Sequence, residues 1–482
     1  MRTQRVLAAA AIVATGLSAC RVGPNYRAPA PPAGATGSLQ SVDASIETLA
    51  APPDAWWRLY NDPRLDALVQ EALSANQNLA VADANFLAAR AVVSAADAAR
   101  YPSTTIGGVG LYGRDAVTDE ILELGGRRPQ TIWLLEDVFQ AAYEVDLFGR
   151  VRRTIEVANA NAESVAAARD AVRVVIAADT VRAYAALCAL GEELSVVHHS
   201  LDVVAHEADI SVQRHEAGAN SVYEVTRSQA LVAQVRASIP GLEGQRRAAL
   251  YELTALLGRT PAQAPNDLQS CLVPPSLDAL VPVGDGAALI RRRPDVRQAE
   301  RRLAAATAEI GVSTADLYPT IRLLGLYGGA ATQLTQLDTN IGLTWGVGPS
   351  ISWSFPNMAG PRARVRQAKA EQSAALASFD AVVLTALKET EQALALYRAA
   401  LDTRAWLGDA QAKVHAEFDM AHDQFLAGAV SNLDVLSTEQ TLVAIDSAVA
   451  AADAGLVQDQ IALFKALGGG WAGQGEEYPP GK

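Results

Sequence analysis

His206-Glu207 and His215-Glu216 set an imidazole beside a carboxylate on one helical stretch, the pairing from which a zinc protease assembles its site. That site also needs a second His four residues after the first, and Ile210 and Ala219 stand there instead. His198 and His199 lie on the same stretch, and His199 and His206, seven apart, share a helix face. Surface histidines on an exposed helix are the plainer reading, and no metal site is expected. The only Gly-Lys pair is Gly481-Lys482, at the end of the sequence, so there is no phosphate-cradling loop. Cys188 and Cys271 are candidates for a bridge, but nothing in the sequence brings them together, and buried free thiols are the default expectation. Nucleophilic, metal and phosphate chemistry all lack their residues, so no enzyme and no cofactor are expected.

The third cysteine has a different setting. Residues 1–20 read MRTQRVLAAAAIVATGLSAC. Arg2 and Arg5 precede the apolar run Val6 to Leu17, which is too short to span a membrane and suits a signal-peptide core. The run ends Leu17-Ser18-Ala19-Cys20, which resembles a bacterial lipobox. Cleavage before Cys20 would place a diacylglycerol on its thiol and a fatty acyl group on the new N-terminus, enough chains for a stable anchor. Arg21 rather than Asp follows the cysteine, which by the lipoprotein sorting rule sends the protein to the outer membrane. No other stretch of 18 or more uncharged apolar residues exists, so no transmembrane helix is expected.

The elements that position these residues follow from composition and repetition. Half of the 482 residues (50%) are hydrophobic, yet only 6% are aromatic and the formal charge is −13. Mean hydropathy is only +0.09, so much of the apolar count is alanine, which favours helix. An acidic chain has no electrostatic footprint for nucleic acid. The sequence is also written twice. Tyr101-Pro102 followed by Gly110-Leu111-Tyr112-Gly113 recurs as Tyr318-Pro319 followed by Gly325-Leu326-Tyr327-Gly328. Ala217-Gly218-Ala219-Asn220-Ser221 recurs as Ala427-Gly428-Ala429-Val430-Ser431. The expected organisation is a leader at 1–19, an extended tether at 20–61, repeats at 62–258 and 285–468, a Pro-rich linker at 259–284 and a flexible tail at 469–482. In each repeat a proline-free helical run from Val151 or Arg362 reaches a Gly turn at Gly218 or Gly428, about 100 Å at 1.5 Å per residue. Helices of that length must lie along one another. A further run follows each turn, the first interrupted at Pro240-Gly241.

Strands are expected near 104–113, 131–148, 320–330 and 340–355. From Ile341 to Phe355 apolar odd positions alternate with Gly, Ser and Thr, and from Phe139 to Leu147 the odd positions are again apolar. Such strands suit an outer-membrane barrel, with Phe139, Tyr143, Trp345 and Trp353 as candidates for lipid-facing or interfacial girdle positions. Glu144 and Asp146 take the polar parity; they would face a lumen and favour cations, unless they pair with an arginine such as Arg150. Four strands cannot close a barrel in lipid, so the barrel must be shared between chains.

Three stretches now carry a resemblance: Trp56-Trp57-Arg58-Leu59-Tyr60-Asn61-Asp62-Pro63-Arg64-Leu65, Tyr143-Glu144-Val145-Asp146-Leu147-Phe148-Gly149-Arg150-Val151-Arg152-Arg153, and Arg291-Arg292-Arg293-Pro294-Asp295-Val296-Arg297-Gln298-Ala299-Glu300. They resemble motifs of the outer membrane factor family, the TolC-like exit ducts of tripartite efflux systems, and with the lipobox they look most like its OprM/NodT-type lipoprotein branch. The resemblance implies a mainly α homotrimer with a twelve-stranded barrel and a periplasmic helical tunnel. It implies passive conduction of small molecules such as drugs, a periplasmic membrane-fusion adaptor and an inner-membrane RND-type pump. A type I secretion or metal-efflux duct is the alternative within the fold; a structural periplasmic lipoprotein is the alternative outside it. The family usually has a compact Phe-Asp-Gly-Gly-Arg turn where this chain has Phe355-Pro356-Asn357-Met358-Ala359-Gly360-Pro361-Arg362. Asp434 matches an entrance aspartate of the family, with Glu224 as its counterpart in the first repeat. Ser437 stands where a second aspartate is common, and Arg227 at the equivalent position is expected to pair with Asp434 or Glu224 at a closed entrance. The turns Gly218, Ala219, Asn220, Ser221 and Gly428, Ala429, Val430, Ser431 are expected to meet the adaptor.

Overall fold

The computed structural model describes residues 21–42, 47–114, 116–129, 131–219, 221–277, 280–337 and 342–469. Two compact units share the chain, the first from residues 1–29, 86–165 and 299–379, the second from 30–85, 166–298 and 380–482. In chain order the elements are β1 (Glu47–Thr48), α1 (Pro63–Ala75), α2 (Gln77–Asp97), β2 (Ser103–Gly113), α3 (Ala116–Leu124), β3 (Ile132–Val145), α4 (Arg150–Glu216), α5 (Val222–Leu256), β4 (Val281–Pro282), α6 (Gly286–Arg292), α7 (Pro294–Ala315), β5 (Thr320–Ala331), β6 (Leu343–Ser352), α8 (Ala359–Leu426) and α9 (Asn432–Ala466).

The first unit holds one antiparallel sheet in the order β2-β3-β5-β6. Register aligns Ile106, Phe139, Tyr327 and Trp345 in a single row across all four strands. The helix α3 in the β2–β3 connection is not announced by the alternating pattern on either side.

The second unit is built on a core of large side chains drawn from both ends of the chain. Trp56 is fully buried and stacks on Phe464, ring centroids 4.7 Å apart. Asp62 caps α1 by accepting the N–H groups of Arg64 (2.8 Å) and Leu65 (3.1 Å), and its other oxygen accepts the Tyr184 hydroxyl at 2.8 Å. Pro63 stands at the first helical position, where its missing N–H has no consequence. Arg293, nearly buried, donates to the Ala466 carbonyl (2.9 Å) and to Asp295 and Glu389 (2.7 Å each), tying α7 to α8 and to the end of α9. The Trp-Trp and Arg-Arg-Arg-Pro motifs are therefore structural clasps.

Four expectations need correction. The tether is extended, but its described residues are held rather than free: β1 pairs in parallel with β4, and the N–H groups of Gln40 and Ser41 donate to Glu391 at 2.6 and 3.0 Å. Pro240 does not interrupt α5, because its fixed φ is helical and only one backbone hydrogen bond is lost. Among the described residues, three helical stretches (Gln77–Arg100, Arg150–Glu216 and Leu433–Ala466) are long and apolar enough to cross a membrane by composition, since alanine raises hydropathy past an occasional charge. In the second of them, 72% of the most apolar window is buried against the rest of the protein, which makes it a packing surface.

The fourth correction concerns the thiols. Cys188 and Cys271 form a disulfide, Cα atoms 4.8 Å apart. The linker crosses α4 at Gly191, where a Cβ would overlap the Cys271 carbonyl, and Arg246 donates to the carbonyls of Gln269 (2.6 Å) and Cys271 (3.0 Å). Nothing in the local sequence signals that crossing. The bridge spans 83 residues, for which restriction of the unfolded chain supplies about 4–5 kcal/mol. Cys188→Ala with Cys271→Ala should lower the thermal unfolding temperature, and reductant should lower it for the native protein alone; equal unfolding temperatures would contradict a stabilising bridge.

Candidate functional site

The sheet presents two chemically different faces. Ile106, Phe139, Tyr327, Trp345, Val347 and Ile351 share one parity, and all are exposed within the chain. A second aromatic pair, Tyr112 and Trp133, stands at one end of the strands, centroids 5.2 Å apart. Tyr101, the stacked pair Phe148–Tyr318 (4.5 Å) and the stacked pair Trp353–Phe355 (4.7 Å) stand at the other. Apolar residues between two aromatic bands are the signature of a lipid-facing barrel wall. Asp137 is a charged exception on this face; its Oδ1 accepts the Gly329 N–H at 3.0 Å.

The opposite face carries Ser103, Thr105, Gln140, Glu144, Arg322 and Ser350. Glu144 and Arg322 are cross-strand partners, 3.6 Å apart, and Glu144 also accepts from Arg150 Nε (2.8 Å) and Nη2 (2.6 Å). Its charge is spent on two arginines. Asp146 lies one residue beyond β3, off the strand parity assumed for it. Its carboxylate accepts the N–H groups of Val151 and Arg152 at 3.0 Å each, capping α4 from four residues upstream, and Arg152 Nε adds a bond at 3.1 Å. In β2 and β5 the alternation is illegible in sequence because glycine fills so many positions; only the register reveals their faces.

The two Gly turns expected at the entrance are built alike in both repeats. Gly218 takes φ +78° and Gly428 φ +74°, the left-handed conformation that closes a helix. Ala219 N–H returns to the Arg214 carbonyl and Ala429 N–H to the Gln424 carbonyl, both at 2.8 Å. The next helix opens with a reciprocal cap: Ser221 N–H and Oγ donate to Glu224 at 2.8 and 3.1 Å, and Ser431 N–H and Oγ donate to Asp434 at 3.0 and 2.7 Å. These bonds hold the Asp434 carboxyl below the usual range, so it keeps its charge in mild acid. Arg214 lies over the Phe425 ring at 4.1 Å and joins the last turns of α4 and α8. Arg227 is half-buried and has no ion pair among the described residues; Ser437 is exposed. Ala219, Ser221, Gly428, Ala429 and Ser431 are solvent-facing or nearly so; Cys20 and Asn220 lie outside the described residues. His198, His199, His206 and His215 are all exposed on α4.

Sequence reasoning missed Glu439. One turn beyond the Asp434 cap on α9, it is fully buried with neither oxygen hydrogen-bonded among the described residues, and burial plus the nearby Glu207 raises its pKa to about 7. The signal available in sequence was a Glu on the apolar side of a helix between Val435, Leu436 and Val443.

The profile of the outer membrane efflux protein family matches residues 68–259 and 287–469. Nodulation protein T of Rhizobium leguminosarum bv. viciae is 31% identical over 472 residues, covering 96% of this chain and 93% of that protein. The pyoverdine export outer membrane protein OpmQ of Pseudomonas aeruginosa is 29% identical, with 86% and 87% covered. The solved outer-membrane channel OprN superposes with a TM-score of 0.86 at 32% identity, covering 94% of this chain and 100% of that one.

A carboxyl whose pKa rises on folding binds more protons in the folded state between pH 4.5 and about 7, so its burial destabilises most above pH 7 and that cost fades as pH falls. Glu439→Gln should raise the unfolding temperature at pH 8 and flatten its pH dependence in that window. A substitution that leaves the profile unchanged would contradict the assignment.

Proposed function

The chain belongs to the outer membrane efflux protein family, and from that premise we propose how its own residues carry the conducting role. It is an outer-membrane exit duct of an efflux system, set in the outer membrane and extending into the periplasm. The observation that carries the mechanism is the open four-stranded sheet with one apolar face. In hydrocarbon the free edges of β2 and β6 would leave peptide groups without partners, so they must pair with other copies. Three copies supply twelve strands, and the polar face becomes the lumen. Conduction is then passive, with no catalytic group required.

In this reading Cys20 is acylated, the duct works with a periplasmic adaptor and an inner-membrane RND-type pump, and the Gly218 and Gly428 turns receive the adaptor. The identical, locally closed construction of those turns supports a docking role, since each presents small residues on a rigid corner. Arg227 reaches the Glu224 or Asp434 carboxylates of adjoining helices in the assembled entrance; its lack of a partner within the described chain supports an interchain role. Glu144 faces the inner rim already paired with Arg150 and Arg322, and Asp146 is occupied in capping α4, so cation preference is weak. Nodulation protein T and the pyoverdine exporter are named for different tasks, and the cargo of this duct is set upstream by its pump.

Extracted in detergent, the unheated protein should migrate as a trimer that dissociates on boiling and should conduct in planar bilayers. A Cys20→Ala protein that is monodisperse without detergent would favour a structural periplasmic lipoprotein. Arg227→Asp should raise single-channel conductance and antibiotic entry; unchanged values would remove the gate. Profiling a deletion strain against antibiotics and metals separates drug from metal export.

A further inference from the structure

Arg153 is fully buried, yet its hydrogen bonds go mostly to a part of the chain 130 residues away. Nε donates to the Val22 carbonyl (3.2 Å), and Nη2 donates to the Gly23 carbonyl (3.1 Å) and to Asn25 Oδ1 (3.0 Å). Nη1 donates to Glu156 at 2.8 Å, and Glu156 is also the partner of Arg21. The guanidinium thus has four of its acceptors on named groups, three of them in residues 22–25. The steric fit is equally particular. Gly23 takes φ +84°, and a Cβ there would stand 2.5 Å from Gly311 Cα, while a Cβ on Gly311 would stand 2.6 Å from Arg153 Nε. Val22 N–H donates to the Phe148 carbonyl at 3.3 Å, and the Phe148 ring stacks on Tyr318. Tyr26 closes the far side, donating to Glu300 at 2.8 Å under the Arg301 guanidinium. None of these bonds is needed to form α4; they form a receptacle for an extended peptide.

We infer that this receptacle, with Arg153 at its centre, is a positioning site for the acylated N-terminus, fixing the point where the lipid leaves the protein. The inference rests on the reading of Cys20 as the acylated residue. Val22 is bonded beside the aromatic pair at the base of β3 and β5, and two residues span at most about 7 Å. The acyl chains therefore enter the bilayer at the aromatic rim of the sheet, where the headgroup region meets the strand ends. The lipid is a locating pin, bringing membrane to the strand ends before the barrel closes, and Arg153 acts through the segment it grips.

The test uses the full chain in its native membrane with Arg27→Cys carrying a nitroxide; Cys188 and Cys271 are bonded to each other and the Cys20 thiol is acylated in this reading, so residue 27 is the thiol of this chain that takes the label. Arg153→Met keeps the apolar stem and removes every donor. Gly23→Val disturbs only the peptide side, so it decides if the first variant fails to fold. The label should be immobilised in the parent, become mobile in either variant, and be accompanied by a several-fold fall in heat-modifiable trimer at unchanged acylation. A label that stays immobile, or a mobile label with undiminished trimer, overturns the inference. Intact mass of the unsubstituted protein keeps the two readings apart: absence of acyl chains there overturns the lipid assignment itself and the positioning role with it.

Discussion

Hydrocarbon offers no hydrogen-bond partner to a peptide group, and most of this protein follows from that. A sheet of four strands among the described residues leaves two edges open, so it is an incomplete object until other chains supply the missing bonds. The apolar face with its aromatic bands, the polar face behind it and the glycines that let the strands approach closely all make sense only for a wall shared between copies. Much of the remaining length runs in helices of 67 and 68 residues, and in the second unit these contribute Tyr184, Leu187, Leu394 and Tyr397 to the large-residue core around Trp56 and Phe464.

The ends of the helices are where charge is spent. At each entrance turn a carboxylate three residues into the new helix closes a reciprocal cap with the serine that opens it, and at the strand base Asp146 performs the equivalent service for α4. These acids have local structural employment, which explains their spacing without any appeal to conduction. The entrance role proposed for Glu224 and Asp434 would be an additional use of the same groups: a capped carboxylate is fixed in direction, and Asp434 is also held ionised, which is what a charged constriction needs.

Much of the architecture was legible beforehand. Period-two alternation announced β3 and β6 because their apolar residues are large, and the two proline-free runs announced α4 and α8. The strands β2 and β5 were faint because glycine has no side chain to carry parity. Longer-range features stayed hidden for a common reason. The Cys188–Cys271 bridge, the buried Glu439 and the Arg153 grip each join residues whose meeting is decided by how helices and linker cross, and no local pattern encodes a crossing. The continuity of α5 through Pro240 was misread from the opposite cause, a strong local signal outweighed by packing on the surrounding turns.

The disulfide changes what connects the two repeats. Cys271 lies in the linker and Cys188 in the first repeat, so once the bond has formed, the residues before Cys271 no longer contribute slack. The second repeat is then leashed by the short stretch from Leu272 to Asp285. A shorter leash raises the local concentration at which the second repeat meets the first. Oxidation in the periplasm would thereby act as a timer for maturation, favouring docking of repeats within one chain over exchange of repeats between chains, the characteristic error of a duplicated architecture that must also trimerise.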